Sequence, residues 1–265
     1  MGKAQDSFKA GRLSVALDEL QAEVRQKPAD VKLRIFLAQL LMVMGQWDRA
    51  VTQLSVIGDM DAGALPMARA YRAAIDCELL RAEVFAGKRS PLLFGEPEPW
   101  IAGMLKALVI EGEGRPGDAA DLRAESCEAA PPSAGKINGE SFEWLADADS
   151  RLGPIFEVLL NGAYYWVPLH RVQQISIDPP SDARDLIWLP AQFKWTNEGE
   201  AVGFIPARYA GSEASADEAV RMSRKTEWRQ LAEASFAGLG QRLLATDAGE
   251  YPLLEVRDIT FEPRA

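Results

Sequence analysis

The spacing of apolar residues changes near the middle of the chain, and this change limits the possible folds more than any other feature. Residues 1–130 show helical spacing, whereas residues from 155 onward form short runs of β-forming residues separated by turns. A loop containing Pro and Gly, residues 131–136, separates the two parts. The sequence therefore predicts an α+β protein of two domains: an all-α domain over 1–130, a linker and short helix over 131–154, and a mostly antiparallel α+β domain over 155–265.

The helical half contains an internal repeat with an offset of 34 residues. Gly11 recurs as Gly45, and both glycines begin the pattern Gly-x-apolar-x-x-Ala-x-x-x-Leu. A partial third copy begins at Gly114. A glycine with a positive φ can end one helix, and the alanine lets the next helix pack closely. This pattern resembles the tetratricopeptide helix hairpin, so we expect degenerate TPR-like repeats in this domain.

One predicted helix, over residues 31–44, is apolar on all sides and must be covered on all sides. The neighbouring repeat and the second domain can provide the cover, which is the more common situation. Alternatively, a helix from a partner protein occupies a trough in this domain, provided that the second domain leaves the trough open. The candidate trough residues lie on this helix and on the helix that begins near Pro99: Ile35, Met42, Val43, Ile101, Met104 and Leu108.

The second half carries several strand signals. Residues 156–161 and 163–168 surround the pair Asn161-Gly162, which favours a tight hairpin turn. Tyr and Trp are concentrated in this half, and we expect most of them in the core of a compact domain. Further strands are predicted at residues 172–177, 186–189, 193–195, 202–205, 241–245 and 253–261, and short helices at 217–222 and 226–232.

The charge balance excludes some classes of partner. The chain has 39 acidic and 29 basic side chains, a net charge of −10, which repels a phosphate backbone or an anionic membrane surface. The most apolar window, residues 35–44, is about half the length needed to cross a bilayer. We therefore expect neither a nucleic-acid nor a membrane partner.

The cysteine and histidine content limits the chemistry further. Cys77 and Cys127 are far apart in sequence and form no CxxC motif, so the chain fits a reducing cytoplasm. His170 is the single histidine, which excludes metal sites that need two. The sequence therefore predicts no metal and no cofactor.

A polar loop over residues 208–213 leaves two functions open. It can tie the fold together through hydrogen bonds from side chains to the backbone, or it can contact a partner. An enzymatic alternative, a hydrolase or transferase, would use Ser212 as the nucleophile and Arg208 and Glu213 as binding groups. Ser212 lacks the second glycine of a nucleophile elbow, and its base would have to be the distant His170.

Several long motifs in the second half resemble the ImpE/TagJ family. They are residues 144–154 (WLADADSRLGP), 165–168 (YWVP), 184–190 (RDLIWLP), 205–213 (IPARYAGSE) and 238–242 (GLGQR). They occur in the family's order, and the similarity extends over nearly the whole chain. One departure is Ala207, where the family pattern has Thr before the Arg. The residues of this motif set that we single out are in the polar loop: Arg208, Tyr209, Ser212 and Glu213.

The resemblance implies a cytoplasmic, non-enzymatic accessory protein of the bacterial type VI secretion system. It implies that the protein binds the N-terminal helix of the small sheath subunit TssB and influences how the ATPase ClpV handles the sheath. It assigns no binding residues. A purely structural subunit that binds no free helix is a further interpretation.

Overall fold

The computed structural model describes residues 2–263, and within this range the N-terminal part of the chain is helical. α1 to α7 belong to this part and a short α8 follows much later. The helices are α1 (Lys3–Lys9), α2 (Leu13–Gln26), α3 (Val31–Val43), α4 (Trp47–Met60), α5 (Leu65–Phe85), α6 (Pro99–Gly112), α7 (Pro116–Ala129) and α8 (Glu218–Arg221).

The remainder of the chain is rich in short strands, which confirms the predicted α+β class. The strands are β1 (Leu92–Leu93), β2 (Gly135–Ile137), β3 (Glu140–Phe142), β4 (Leu145–Asp147), β5 (Ile155–Leu160), β6 (Ala163–Pro168), β7 (Val172–Ile177), β8 (Trp188–Trp195), β9 (Glu200–Pro206), β10 (Thr226–Ala232), β11 (Ser235–Gly240), β12 (Leu243–Thr246), β13 (Glu250–Pro252) and β14 (Asp258–Phe261).

The repeat glycines end helices as the sequence pattern predicts. Gly11, Gly45 and Gly114 follow α1, α3 and α6 with φ values of 78°, 69° and 82°. Their conformation is one that residues with a Cβ rarely adopt. The repeat alanines Ala16 and Ala50 are fully buried, which lets α1 pack against α2 and α3 against α4.

The main sheet has the strand order β1-β6-β5-β9-β8-β7-β14-β2-β3. β1 lies parallel to β6, and the other neighbouring strands in this sheet are antiparallel. The turn between β5 and β6 has Asn161 and Gly162 at φ values of 50° and 77°, which confirms the predicted hairpin.

The two faces of the sheet belong to different cores. On one face Leu159, Trp166 and Trp188 pack with the helices in a shared core. The opposite face, including Phe156 and Ile175, shares a second core with Leu244 on β12 and Leu253 just after β13. The predicted core role of the aromatic residues holds for most of them, whereas two stay more than 40% exposed: Trp144 and Trp228.

Several sequence-based boundaries need correction. Residues 226–232, predicted as a helix, form β10, because they pair with β11. Residues 131–154, predicted as a linker and short helix, contain three strands. β2 pairs with β3 and with β14 far along the chain, and β4 pairs with the distant β12. Residues 186–189 and 193–195 lie partly in one strand, β8, whose Pro190 stands opposite Phe204. Residues 253–261 begin as a 3-10 turn, so the strand there is limited to β14.

Residues 2–263 contain neither a membrane-crossing helix nor a cluster of metal ligands. No helix in this range has both the length and the apolar character needed to cross a membrane. No group of three or more His, Cys, Asp or Glu side chains in the same range is arranged to hold a metal ion.

Candidate functional site

The residues proposed to line a trough lie inside the protein. Met42, Val43 and Met104 have no exposed surface, and Ile101 and Leu108 are 1% exposed. Ile35 is partly buried and packs against the same core. The neighbouring repeats and the sheet domain therefore cover this part of the helical domain, and these side chains form no open trough in this structure.

The loop over residues 208–213 packs against the C-terminal end of α3. Arg208 is 1% exposed and reaches the C-terminal end of α3, where it donates hydrogen bonds to the carbonyl oxygens of Val43 (2.7 Å) and Met42 (3.4 Å). It also donates to the carbonyl oxygen of Arg221 (2.6 Å). A cation at the last carbonyls of a helix satisfies acceptors that have no partner within the helix. Arg208 thus joins the two domains.

The other loop residues are also committed to the fold. The Ser212 hydroxyl donates to the Tyr209 carbonyl (2.6 Å) and accepts from the Gly240 amide (2.8 Å). The Tyr209 hydroxyl accepts from the amide of Leu243 (3.0 Å). Glu213 packs closely over Gly45: a Cβ added at Gly45 would lie 2.7 Å from the Cβ of Glu213.

The proposed catalytic pair is not assembled. His170 Nε2 lies 3.0 Å from a carboxylate oxygen of Glu98, whereas the hydroxyl of Ser212 is buried and hydrogen-bonded to backbone atoms. A serine nucleophile needs a base within hydrogen-bond reach. The loop therefore has a structural role, with the Ser212 hydroxyl bonded to the backbone and not to His170.

A buried ion-pair network crosses the boundary between helices and sheet, and its centre is Glu157 on β5. Arg81 on α5 donates to both carboxylate oxygens of Glu157, at 2.6 and 2.7 Å. Tyr164 also donates to this carboxylate, and Arg242 lies 3.3 Å from it. Burial alone would raise the pKa of Glu157, but the charges of Arg81 and Arg242 outweigh burial and lower it to about 2.

The network continues into the first family motif, residues 144–154. Arg242 donates two hydrogen bonds to Asp147, at 2.9 and 2.6 Å, and both side chains are fully buried. Arg151 donates to both oxygens of Asp149, at 2.9 and 2.6 Å. Burial raises the pKa of Asp147 to about 6, against the lowering effect of Arg242. All three charged side chains of this motif therefore form ion pairs inside the protein.

The helical side of the network holds a second strand in place. Glu78 on α5 lies 3.4 Å from Arg81 and accepts a hydrogen bond from the indole nitrogen of Trp188 on β8, at 2.9 Å. Arg81 also donates to the Arg208 carbonyl oxygen, at 3.1 Å. This network was not predicted from the sequence, although a single Glu inside the apolar run of β5 is an unusual signal that could have revealed it.

An open surface lies where α5 meets β9. A groove of about 280 Å³ there has apolar walls from the helix and the sheet: Ala70, Ala73, Cys77, Leu159, Val202 and Phe204. The hairpin turn approaches the helix so closely that a Cβ at Gly162 would lie 3.3 Å from Ala73. Val202 is 72% exposed, the largest exposure among the large apolar side chains identified as exposed.

A second depression continues this groove across the sheet. Its volume is about 330 Å³, and it shares Val202 with the first. Its lining is mainly polar: Gln174, Ser176, Gln192, Lys194 and Glu200. We name the combined surface the sheet shelf: the floor is β7, β8 and β9, and the wall is α5. It changes from apolar beside α5 to polar over β7, so it suits an amphipathic helix.

These features define a class of protein: a tetratricopeptide-type helical domain locked by buried ion pairs onto a sheet domain, with an open shelf beside the junction. The comparisons with known proteins agree with this class. The tetratricopeptide repeat model matches residues 7–75, and the ImpE protein model matches residues 139–260.

The full chain is similar to a protein from Pseudomonas aeruginosa named type VI secretion system accessory component TagJ. The two are 49% identical over 260 residues, which is 98% of this chain and 91% of the relative. The chain therefore belongs to the ImpE/TagJ family, as its motifs indicated.

A crystal structure of a protein from Vibrio parahaemolyticus has the same fold. The TM-score is 0.90, and the match covers 99% of this chain and 98% of the other. The sequences are 23% identical, so this likeness concerns the fold alone.

Proposed function

We propose that this chain is a cytoplasmic, non-enzymatic accessory protein of a type VI secretion system that holds a helix of another component. The observation that carries the proposal is the 49% identity, over 98% of the chain, to a protein named as an accessory component of that system. The tetratricopeptide-type domain supports it, because such repeats commonly serve as platforms for peptides and helices.

The proposed ligand is the N-terminal helix of the small sheath subunit TssB. The sheet shelf supports this choice, since its apolar side at Val202 and Phe204 can receive the apolar face of a helix. Its polar side at Gln192 and Lys194 can face the helix's polar residues. A helix placed there would lie beside α5 and cover the exposed surface of β7, β8 and β9.

An effect on the ATPase ClpV follows indirectly in this proposal. A sheath subunit whose N-terminal helix lies in the shelf presents a different surface to the ATPase. The helix is placed in the shelf and not against Met42, Val43 and Met104, because those side chains are buried whereas the shelf is open.

The test is the affinity for a synthetic peptide of the TssB N-terminal helix, measured by fluorescence anisotropy. Val202→Asp places a charge on the apolar floor, and we expect Kd to rise at least tenfold. Val15→Asp is the matched control, because Val15 is 44% exposed on α2, away from the shelf residues, and we expect an unchanged Kd.

Two outcomes would count against this proposal. Equal affinity of a folded Val202→Asp variant would remove the shelf as the binding site. Failure of the unmodified protein to bind the peptide would remove the TssB helix as the ligand.

A further inference from the structure

Strand β10 has an open edge. The neighbouring strand β11 has alternate amides that point away from β10. The Gly238 amide donates to Asp149, and the Phe236 amide donates to the hydroxyl of Ser150. Gly238 and Phe236 stand opposite Trp228 and Gln230. In an antiparallel pair such residues direct their own N–H and C=O groups away from each other. The backbone of Trp228 and Gln230 therefore points to the outer edge of β10.

The same reasoning applies to Thr226, because the amide of its opposite residue Gly240 donates to Ser212. Within residues 2–263, no hydrogen bond engages the outward backbone groups of positions 226, 228 and 230. α7 packs close to β10, yet four consecutive residues stay exposed: Glu227, Trp228, Arg229 and Gln230. Such an edge is a template for pairing with another strand.

The side chains along this edge are complementary to a reversed copy of themselves. Glu227 and Arg229 flank Trp228 symmetrically and carry opposite charges. A second β10, antiparallel and centred on Trp228, would place each Glu227 opposite an Arg229. It would also place the two tryptophans opposite each other. Opposite charges and aromatic pairs are favourable cross-strand neighbours.

We propose that this chain forms a two-fold dimer in which β10 pairs with β10 of a second copy, centred on Trp228. Positions 226 and 230 of the two copies then form hydrogen-bonded pairs, as do the two residues at 228, since these positions point outward. This inference is independent of the proposed function and of the sheet shelf.

Registers with the two-fold axis on a residue next to Trp228 are less favourable. A two-fold axis at Arg229 would oppose two arginines, and one at Glu227 would oppose two glutamates, and like charges directly opposite are destabilising. A two-fold axis between two residues would place each outward-pointing residue opposite a residue whose backbone groups already bond to β11. Glu227 also lies 2.7 Å from Lys225 in its own chain, but both side chains are exposed, so this ion pair is weak and leaves Glu227 free to turn toward the partner.

The test is sedimentation equilibrium of the full chain over a range of concentrations. We expect the unmodified protein to dimerise. The single variant Glu227→Arg places an arginine at position 227 opposite Arg229 of the other copy. The single variant Arg229→Glu likewise places a glutamate opposite Glu227. Each single variant should therefore raise the dimer Kd at least tenfold. The double variant Glu227→Arg with Arg229→Glu restores every opposite pair and should recover the dimer.

Mixing the two single variants provides a second measurement. Each Arg of one copy then meets a Glu of the other, so a heterodimer should form where neither variant dimerises alone. Arg25→Glu, at an exposed position of α2, is the control for a change of net charge and should leave the Kd unchanged. A monomer at all concentrations would overturn the proposal, and so would a dimer that both single variants retain or that the double variant fails to recover.

Discussion

Arg81 and Glu157 join the helical domain to the sheet through two parallel hydrogen bonds, Nε to Oε1 at 2.6 Å and Nη2 to Oε2 at 2.7 Å. They are 76 positions apart in sequence, and their side chains are 1% and 0% exposed. A charge taken out of water needs a compensating partner, so each of these two residues makes the other tolerable in the core. The pair thereby fixes the position of α5 over β5. Because α5 is the wall of the sheet shelf, the pair also fixes the shape of the shelf.

Glu157→Gln should strongly destabilise the fold, because it leaves Arg81 without its full counter-charge in the core. Loss of one partner of a buried pair costs on the order of 3–5 kcal/mol. The free energy of unfolding at pH 7, measured with urea, should fall by about this amount. Glu83→Gln is the control: Glu83 forms a surface ion pair with Arg89, and its loss should cost less than about 1 kcal/mol. Equal effects of the two substitutions would contradict a special role for the buried pair.

Glu157 should also give the unfolding free energy a dependence on acid pH. Its pKa is about 2 in the folded protein and near its ordinary value of 4.5 in the unfolded chain. Because folding lowers the pKa, the stabilisation is fully present above pH 4.5 and is lost as the pH falls towards 2. The stability gap between the unmodified protein and Glu157→Gln, followed with urea at successive pH values, should narrow over this window. A constant gap from pH 5 to pH 2.5 would show that the Glu157 charge contributes nothing.

Gly238→Ala should destabilise the packing between β11 and the loop over residues 208–213. A Cβ at this position would lie 2.2 Å from the ring of Tyr209, which is buried and pinned by hydrogen bonds through its hydroxyl. The melting temperature should fall by several degrees, since such overpacking typically costs about 1–3 kcal/mol.

Gly117→Ala is the matched control for this prediction. Gly117 is near the start of α7, and a Cβ there would meet nothing within 4 Å. Alanine is the better helix former, so this variant should melt at the same or a higher temperature. If the Gly238→Ala and Gly117→Ala variants had the same melting temperature, the Tyr209 ring would have to move aside at little cost in free energy.

Short-range patterns predicted much of the fold. The glycines at 11, 45 and 114 ended helices because their positive φ is a local property. The Asn161-Gly162 pair made its hairpin for the same reason. The family motifs were also recognisable in the sequence. Their structural role was not, because only the structure shows that Asp147, Asp149 and Arg151 form buried ion pairs.

The location of the open surface was not predictable in this way. The α3 residues were recognised as apolar on all sides, but the groups that cover them come from distant parts of the chain. Arg208, which binds the end of α3, is 165 positions from Val43, and Trp188 belongs to the same core. In the same way, residues 226–232 are a strand because β11 offers them a ladder, and a local pattern does not report the presence of a partner strand.

The amino-acid sequence by itself determined the helical repeats, the tight turns, the antiparallel character of the second domain and the membership of a family. The tertiary structure alone decided which apolar surface is closed, which is open and which charges are paired. The reason is that backbone preferences act over a few neighbouring residues, whereas burial and ion pairing depend on groups brought together from distant parts of the chain.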